Sequence, residues 1–109
     1  MKIFISMPMK SKSTEQVRSE MKKVFDVIKS KLPEAELIDS ILDGADKDIA
    51  IKGDDAGLWY LGKSVLLLSE AALVFFVNDW VNFRGCSVER KVATEYGKFC
   101  IDIKVNIEQ

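Results

Sequence analysis

The chain has 109 residues, 48% of them apolar and 30% charged, and its 16 Lys and Arg against 17 Asp and Glu leave a net charge of −1. That length supports one domain, spanning 1–109, with one core, and the charge balance argues against general nucleic-acid binding through a basic surface. Histidine is absent, which removes Ser-His-Asp and Cys-His catalysis and histidine-ligated zinc, and leaves carboxylates, lysines, tyrosines, hydroxyls and two thiols for any chemistry.

The first strand is expected over residues 2–6, a short β-prone run that ends before Pro8, which has no ladder donor. The opening is too short for a signal-peptide core, and the longest apolar run, 71–77, is far below a membrane span, so the cytosol and no membrane partner are expected. Ser13 followed by Gln16 has capping-box spacing and starts a helix. Its apolar positions Val17, Met21, Val24, Phe25, Ile28 and Leu32 recur at helical intervals, and Pro33 closes it.

A short second strand is expected over 35–38. Residues 40–57 read as an acidic loop whose aspartates do not follow an EF-hand spacing. A second helix spans 58–69, where Gly62 offers close approach to another helix or a ligand. The continuous apolar run 71–77 reads as the central strand, covered on both faces. A third helix runs from about Cys86 to Tyr96, stops at Gly97, and leads into a last strand over 98–103. The order β-α-β-loop-α-β-α-β implies a three-layer α/β fold, flavodoxin-like or Rossmann-like, with about four parallel strands and helices on both faces.

Such sheets bind ligands beyond the carboxyl ends of their strands. Two loops meet that description, 7–12 after the first strand and 78–84 after the third. Glu89 follows the second loop on a helical stripe through Gly85, Val88, Val92, Ala93 and Tyr96, so it is expected to face inward. Near a helix start it would be favoured in its ionised form, as a nucleophile or base; an ordinary helix-start glutamate is the plainer alternative. Arg84 either pairs with Glu89 or holds a phosphate. Trp80 and Phe83 either sandwich a planar base or fill the sheet's end or a subunit contact. Lys10 and Lys12 either bind phosphate or are solvated. Cys86 and Cys100 lack metal-ligand spacing and read as free thiols, Cys86 buried rather than activated. Nothing implies a metal or a cofactor.

The opening Lys2-Ile3-Phe4-Ile5-Ser6-Met7-Pro8, the segment from Leu61-Gly62-Lys63-Ser64 through Ser69-Glu70-Ala71, and the tract from Asp79-Trp80 through Arg84-Gly85-Cys86 and Val88-Glu89 to Glu95-Tyr96-Gly97 resemble the nucleoside 2-deoxyribosyltransferase superfamily. The likeness covers nearly the whole chain and is nearest to a branch of short bacterial and phage proteins. It implies Glu89 as a nucleophile toward the anomeric carbon of a nucleoside or nucleotide, in a 2-deoxyribosyltransferase or N-glycosidase reaction. It also implies that Gly85 lets the backbone approach sugar or phosphate oxygens. The first loop, with Ser6, Met7, Pro8, Met9 and Lys10, corresponds to the lining of the base and phosphate. Ser64 and Phe83 stand where transferases carry aspartates, and Asp79 is the nearest replacement as proton donor. A non-catalytic, nucleotide-sequestering protein is the alternative. The resemblance further implies a homo-oligomer, with Trp59 or Tyr60 meeting another subunit.

Overall fold

The computed structural model describes residues 1–9, 11–41 and 56–106; Lys10 and nearly all of the acidic 40–57 stretch lie outside them. In chain order the elements are β1 (Lys2–Ser6), α1 (Thr14–Lys31), β2 (Glu36–Leu37), α2 (Ala56–Leu68), β3 (Leu73–Val77), a 3-10 turn (Trp80–Asn82), α3 (Arg84–Glu95) and β4 (Phe99–Ile103). The strands form one sheet in the order β2-β1-β3-β4, with every neighbouring pair parallel. The chain moves outward from β1 to β2 and returns to the other side of β1 as β3, so the topological switch falls between β1 and β3. This is the three-layer flavodoxin-like arrangement that the element order implies.

Strand alternation divides the core into two layers. Ile3, Ile5, Met7, Phe75 and Val77 turn toward α1 and pack on Met21, Val24 and Ile28. Phe4, Val74 and Phe76 turn the other way, onto Leu68 at the end of α2 and Ala93 of α3. In β3, Val74 to Val77 are all buried, because helices cover both faces of the strand.

The helix boundaries follow from local chemistry. Ser13 Oγ accepts a hydrogen bond from the Gln16 amide at 3.1 Å and caps α1, but the Gln16 side chain turns to Glu20 instead of completing a capping box. Gly97, at φ +73, ends α3. Lys98 N–H donates to Ala93 O and Gly97 N–H to Thr94 O, the paired bonds of a Schellman ending.

Five elements have bounds that differ from expectation. β2 pairs only through Glu36 and Leu37, although Ile38 N–H still donates to Ile3 O at 3.0 Å. β3 and β4 begin at Leu73 and Phe99 rather than 71 and 98, and α2 is already helical at Ala56. α3 begins at Arg84, two residues early, because Phe83 in an extended conformation serves as N-cap without any side-chain bond.

A buried carboxylate beneath the sheet's carboxyl edge

Strand register builds the site. Ser6 lies opposite Phe76, and Phe76 opposite Asp102, so one row of side chains crosses β1, β3 and β4 at their carboxyl ends. Phe76 belongs to the α2–α3 layer, and alternation puts Ser6, two residues after Phe4, on that face too. α3 runs over the row and sets consecutive residues on its two ends. Glu89 Oε1 accepts a 2.6 Å hydrogen bond from Ser6 Oγ, and Arg90 Nη1 meets Asp102 Oδ1 at 2.6 Å.

Glu89 is 8% exposed. Burial pushes its carboxyl above the ordinary carboxylate value, and hydrogen bonds from the Ser6 and Ser64 hydroxyls draw it part of the way back. Helix electrostatics, expected to favour its ionised form, are outweighed here by desolvation. The helix starts at Arg84, so Glu89 lies beyond the first turn, to which the dipole's influence is confined.

The inward stripe of α3 is also rotated from expectation. Cys86, Glu89 and Ala93 are buried, while Val88 is 36% and Tyr96 82% exposed. The sheet surface beneath carries the large Phe4 and Phe76 rings, so α3 turns its smaller residues, Cys86 and Ala93, toward it.

Every expected site residue except Lys10 falls among the described residues. Cys86 is buried near the pair, its thiol pushed up to about 11 by burial, with the Glu89 charge adding and a Ser6 hydrogen bond partly offsetting. It is therefore a protonated core thiol. Iodoacetamide at pH 8 should leave Cys86 unmodified in the native protein and alkylate it in guanidinium, as peptide mass mapping would show; native labelling of Cys86 would contradict its burial. Trp80 packs on Phe76 with ring centroids 5.3 Å apart, filling the sheet's end. Arg84 and Gly85 are exposed at the start of α3, and Glu89 is hydrogen-bonded by Ser6 rather than paired with Arg84.

Met7, Pro8, Asp79 and Phe83 line a cleft of about 310 Å³, together with Lys12, Asn78 and Val105. Met7 and Val77 in its wall belong to the α1 layer, so the cleft opens on the other side of the sheet's carboxyl edge from Glu89, which is not part of its lining. Lys12 is committed to Glu20 at 2.6 Å. Met9 is exposed, and Lys10 lies outside the described residues.

Sequence reasoning missed several participants. Ser64 stands out in the sequence only as a missing aspartate, yet it lies near enough on α2 to lower the Glu89 pKa. Arg90, whose guanidinium lies 5.0 Å from both the Phe76 and Trp80 ring centroids, had no signal beyond its place next to Glu89. Asn78 adopts φ +52, a conformation asparagine tolerates. It ties the end of β3 to the segment after β4 by accepting from Val105 N–H at 2.9 Å and donating to Val105 O at 3.1 Å.

Removing the Ser6 hydroxyl should be costly, because it leaves a buried carboxylate oxygen without its donor. Ser6→Ala is expected to lose about 1–3 kcal/mol in urea denaturation and to raise the Glu89 pKa further; an unchanged unfolding midpoint would argue that the bond contributes nothing.

Fold and constellation together define a small doubly wound α/β protein with a buried, hydroxyl-held carboxylate at the carboxyl end of a parallel sheet. The chain matches no protein-family model, no curated protein and no solved structure. Among the described residues no helix is long and apolar enough to cross a membrane.

Proposed function

We propose that this protein acts on a nucleoside or nucleotide as an N-glycosidase or 2-deoxyribosyltransferase-like enzyme, with Glu89 as its nucleophile. The observation that carries the reading is the Glu89 carboxylate, buried at the sheet's carboxyl end and oriented by a 2.6 Å hydrogen bond from the Ser6 hydroxyl on β1. A carboxylate buried with no cationic partner among the described residues is costly to keep for stability alone, and one whose oxygen is aimed by a neighbour suits attack at a fixed point.

In this reading a Glu89 oxygen bonds to the anomeric carbon as the carbon–nitrogen bond to the base breaks. The base leaves with that electron pair and takes up a proton, for which Asp79, on the rim cleft, is the candidate donor. Water then opens the glycosyl ester in a hydrolase, or a second base does so in a transferase, restoring Glu89. The positive charge developing on the sugar favours the ionised carboxylate that burial otherwise disfavours.

Incubation with a panel of nucleosides and deoxynucleoside monophosphates should release free base, followed by chromatography. No release from any member would count against the reading. A second reading, binding without cleavage, is favoured by one observation: Asp79 lines a cleft that Glu89 does not. It predicts stoichiometric heat in calorimetry with the ligand recovered intact.

A further inference from the structure

The row that carries Ser6, Phe76 and Asp102 extends onto the remaining strand. β2 pairs with β1 through Lys2↔Glu36 and Ile3↔Leu37, and Ile38 N–H continues the ladder by donating to Ile3 O. Carried on in that register, Ser40 falls opposite Ser6. Side chains alternate past the end of β2 as they do within a strand. Ile38 packs in the α2–α3 layer with Phe4 and Phe76, Asp39 meets Arg18 of α1 at 3.7 Å on the other side, and Ile41 packs in the α1 layer. Ser40 therefore shares the face of Ile38, which is also the face of Ser6 and Glu89.

Ser40 is 5% exposed, and its Oγ is the one buried side-chain polar atom without a hydrogen-bond partner among the described residues. A buried hydroxyl left unpaired costs stability, and the backbone here keeps it in that position. Asp39 Oδ1 accepts the Ile41 N–H at 3.1 Å, closing an Asx turn around Ser40, and Arg18 pairs with the same carboxylate oxygen. The hydroxyl is thus held against the Glu89 face rather than turned toward water.

Resting on the assignment of Glu89 as nucleophile toward a nucleoside or nucleotide, we propose that Ser40 determines specificity in that site, its hydroxyl hydrogen-bonding a hydroxyl of the substrate's sugar. With the anomeric carbon against Glu89, the sugar lies on the row beside Ser6, and Ser40 stands one strand away, about 4.8 Å. On the opposite neighbour, β3, the row offers only the Phe76 ring, packed by Trp80 and Arg90, and Arg90 is engaged by Asp102. A polar group of the sugar therefore finds its partner on the β2 side. A serine hydroxyl both donates and accepts, as a sugar hydroxyl does. A buried group that stays unpaired when the ligand lacks its counterpart discriminates strongly against that ligand.

Two measurements on Ser40→Ala decide the matter. In the free protein the substitution removes an unpaired buried group, so the melting temperature should rise by roughly 4 °C or more, opposite in sign to Ser6→Ala. A fall would mean that the hydroxyl is already satisfied and would overturn the proposal whether or not any nucleoside is cleaved. Binding is then followed by calorimetry on Glu89→Gln, which forms no glycosyl ester, with and without Ser40→Ala, using ribonucleosides of the four common bases and their 2′-, 3′- and 5′-deoxy analogues. Removing one particular hydroxyl from the nucleoside bound best should weaken binding at least about tenfold when Ser40 is present, and Ser40→Ala should erase that difference. A difference that survives Ser40→Ala, or no difference in either protein, would overturn the role of Ser40 and leave the nucleoside reading standing. No binding of any nucleoside would bring down the nucleoside reading itself, and the sugar contact with it.

Discussion

Glu89→Gln should lower base release at least about a thousandfold, equivalent to ~4 kcal/mol of transition-state stabilisation, while making the folded protein more stable at neutral pH. The amide keeps the shape of the side chain and can still accept the Ser6 hydroxyl, but it cannot form the glycosyl ester. The stability gain follows from linkage. Burial raises the folded-state pKa of Glu89 above its ordinary value of 4.5, so the favourable contribution of the protonated side chain is complete below the unfolded pKa and is lost as pH rises through the folded one. Thermal melts of wild type and Glu89→Gln should therefore differ little at pH 4 and diverge toward pH 8, with the variant higher. A constant difference across that range would mean that Glu89 ionises in the fold as easily as in water.

Phe76→Ala should be the most damaging core substitution in the site region. Phe76 is fully buried at the centre of the Ser6–Phe76–Asp102 row, with the Trp80 ring 5.3 Å away and the Arg90 guanidinium 5.0 Å away. Its removal leaves a cavity between β1 and β4 and strips Arg90 of one of its two ring contacts. The expected cost is about 3–5 kcal/mol, a large share of the roughly 5–15 kcal/mol that stabilises a domain. Phe99→Ala, at a ring 67% exposed on the edge strand, should stay within about 0.5 kcal/mol. Urea midpoints of the two variants provide the comparison, and equal losses would contradict the assignment of the core.

What could be read from the sequence, and what could not, follows the range of the forces involved. The apolar run ending at Val77, the Ser13 cap, the Pro33 stop and the Gly97 ending are local signals, and each produces the element expected of it. The inward aim of Glu89 was also legible, though not for the reason given, since Gly85, Val88 and Tyr96 are exposed and Cys86 and Ala93 are buried. A helix rotates to suit the shape of the sheet beneath it, and the bulk of Phe4 and Phe76 is supplied from far along the chain.

The grouping of the site was harder to see for a different reason. Ser6 and Met7 are adjacent in sequence, but strand alternation sends them to opposite faces. Ser6 joins Glu89 under the sheet edge, whereas Met7 joins Asp79 and Phe83 along the cleft. A loop that looks like one lining in sequence is divided between two environments. Ser64 likewise has no local signature, because its proximity to Glu89 exists only once α2 and α3 lie side by side.

The most direct test of the central claim is to look for the sugar on Glu89. A nucleoside carrying fluorine at the 2′ carbon slows breakdown of a glycosyl ester by disfavouring positive charge at the anomeric carbon, so incubation, acid quench and peptide mass mapping should find the fluorinated sugar attached to Glu89. Release of base with Glu89 unmodified and the sugar carried by another residue, or no adduct and no base release from any nucleoside, would contradict the account.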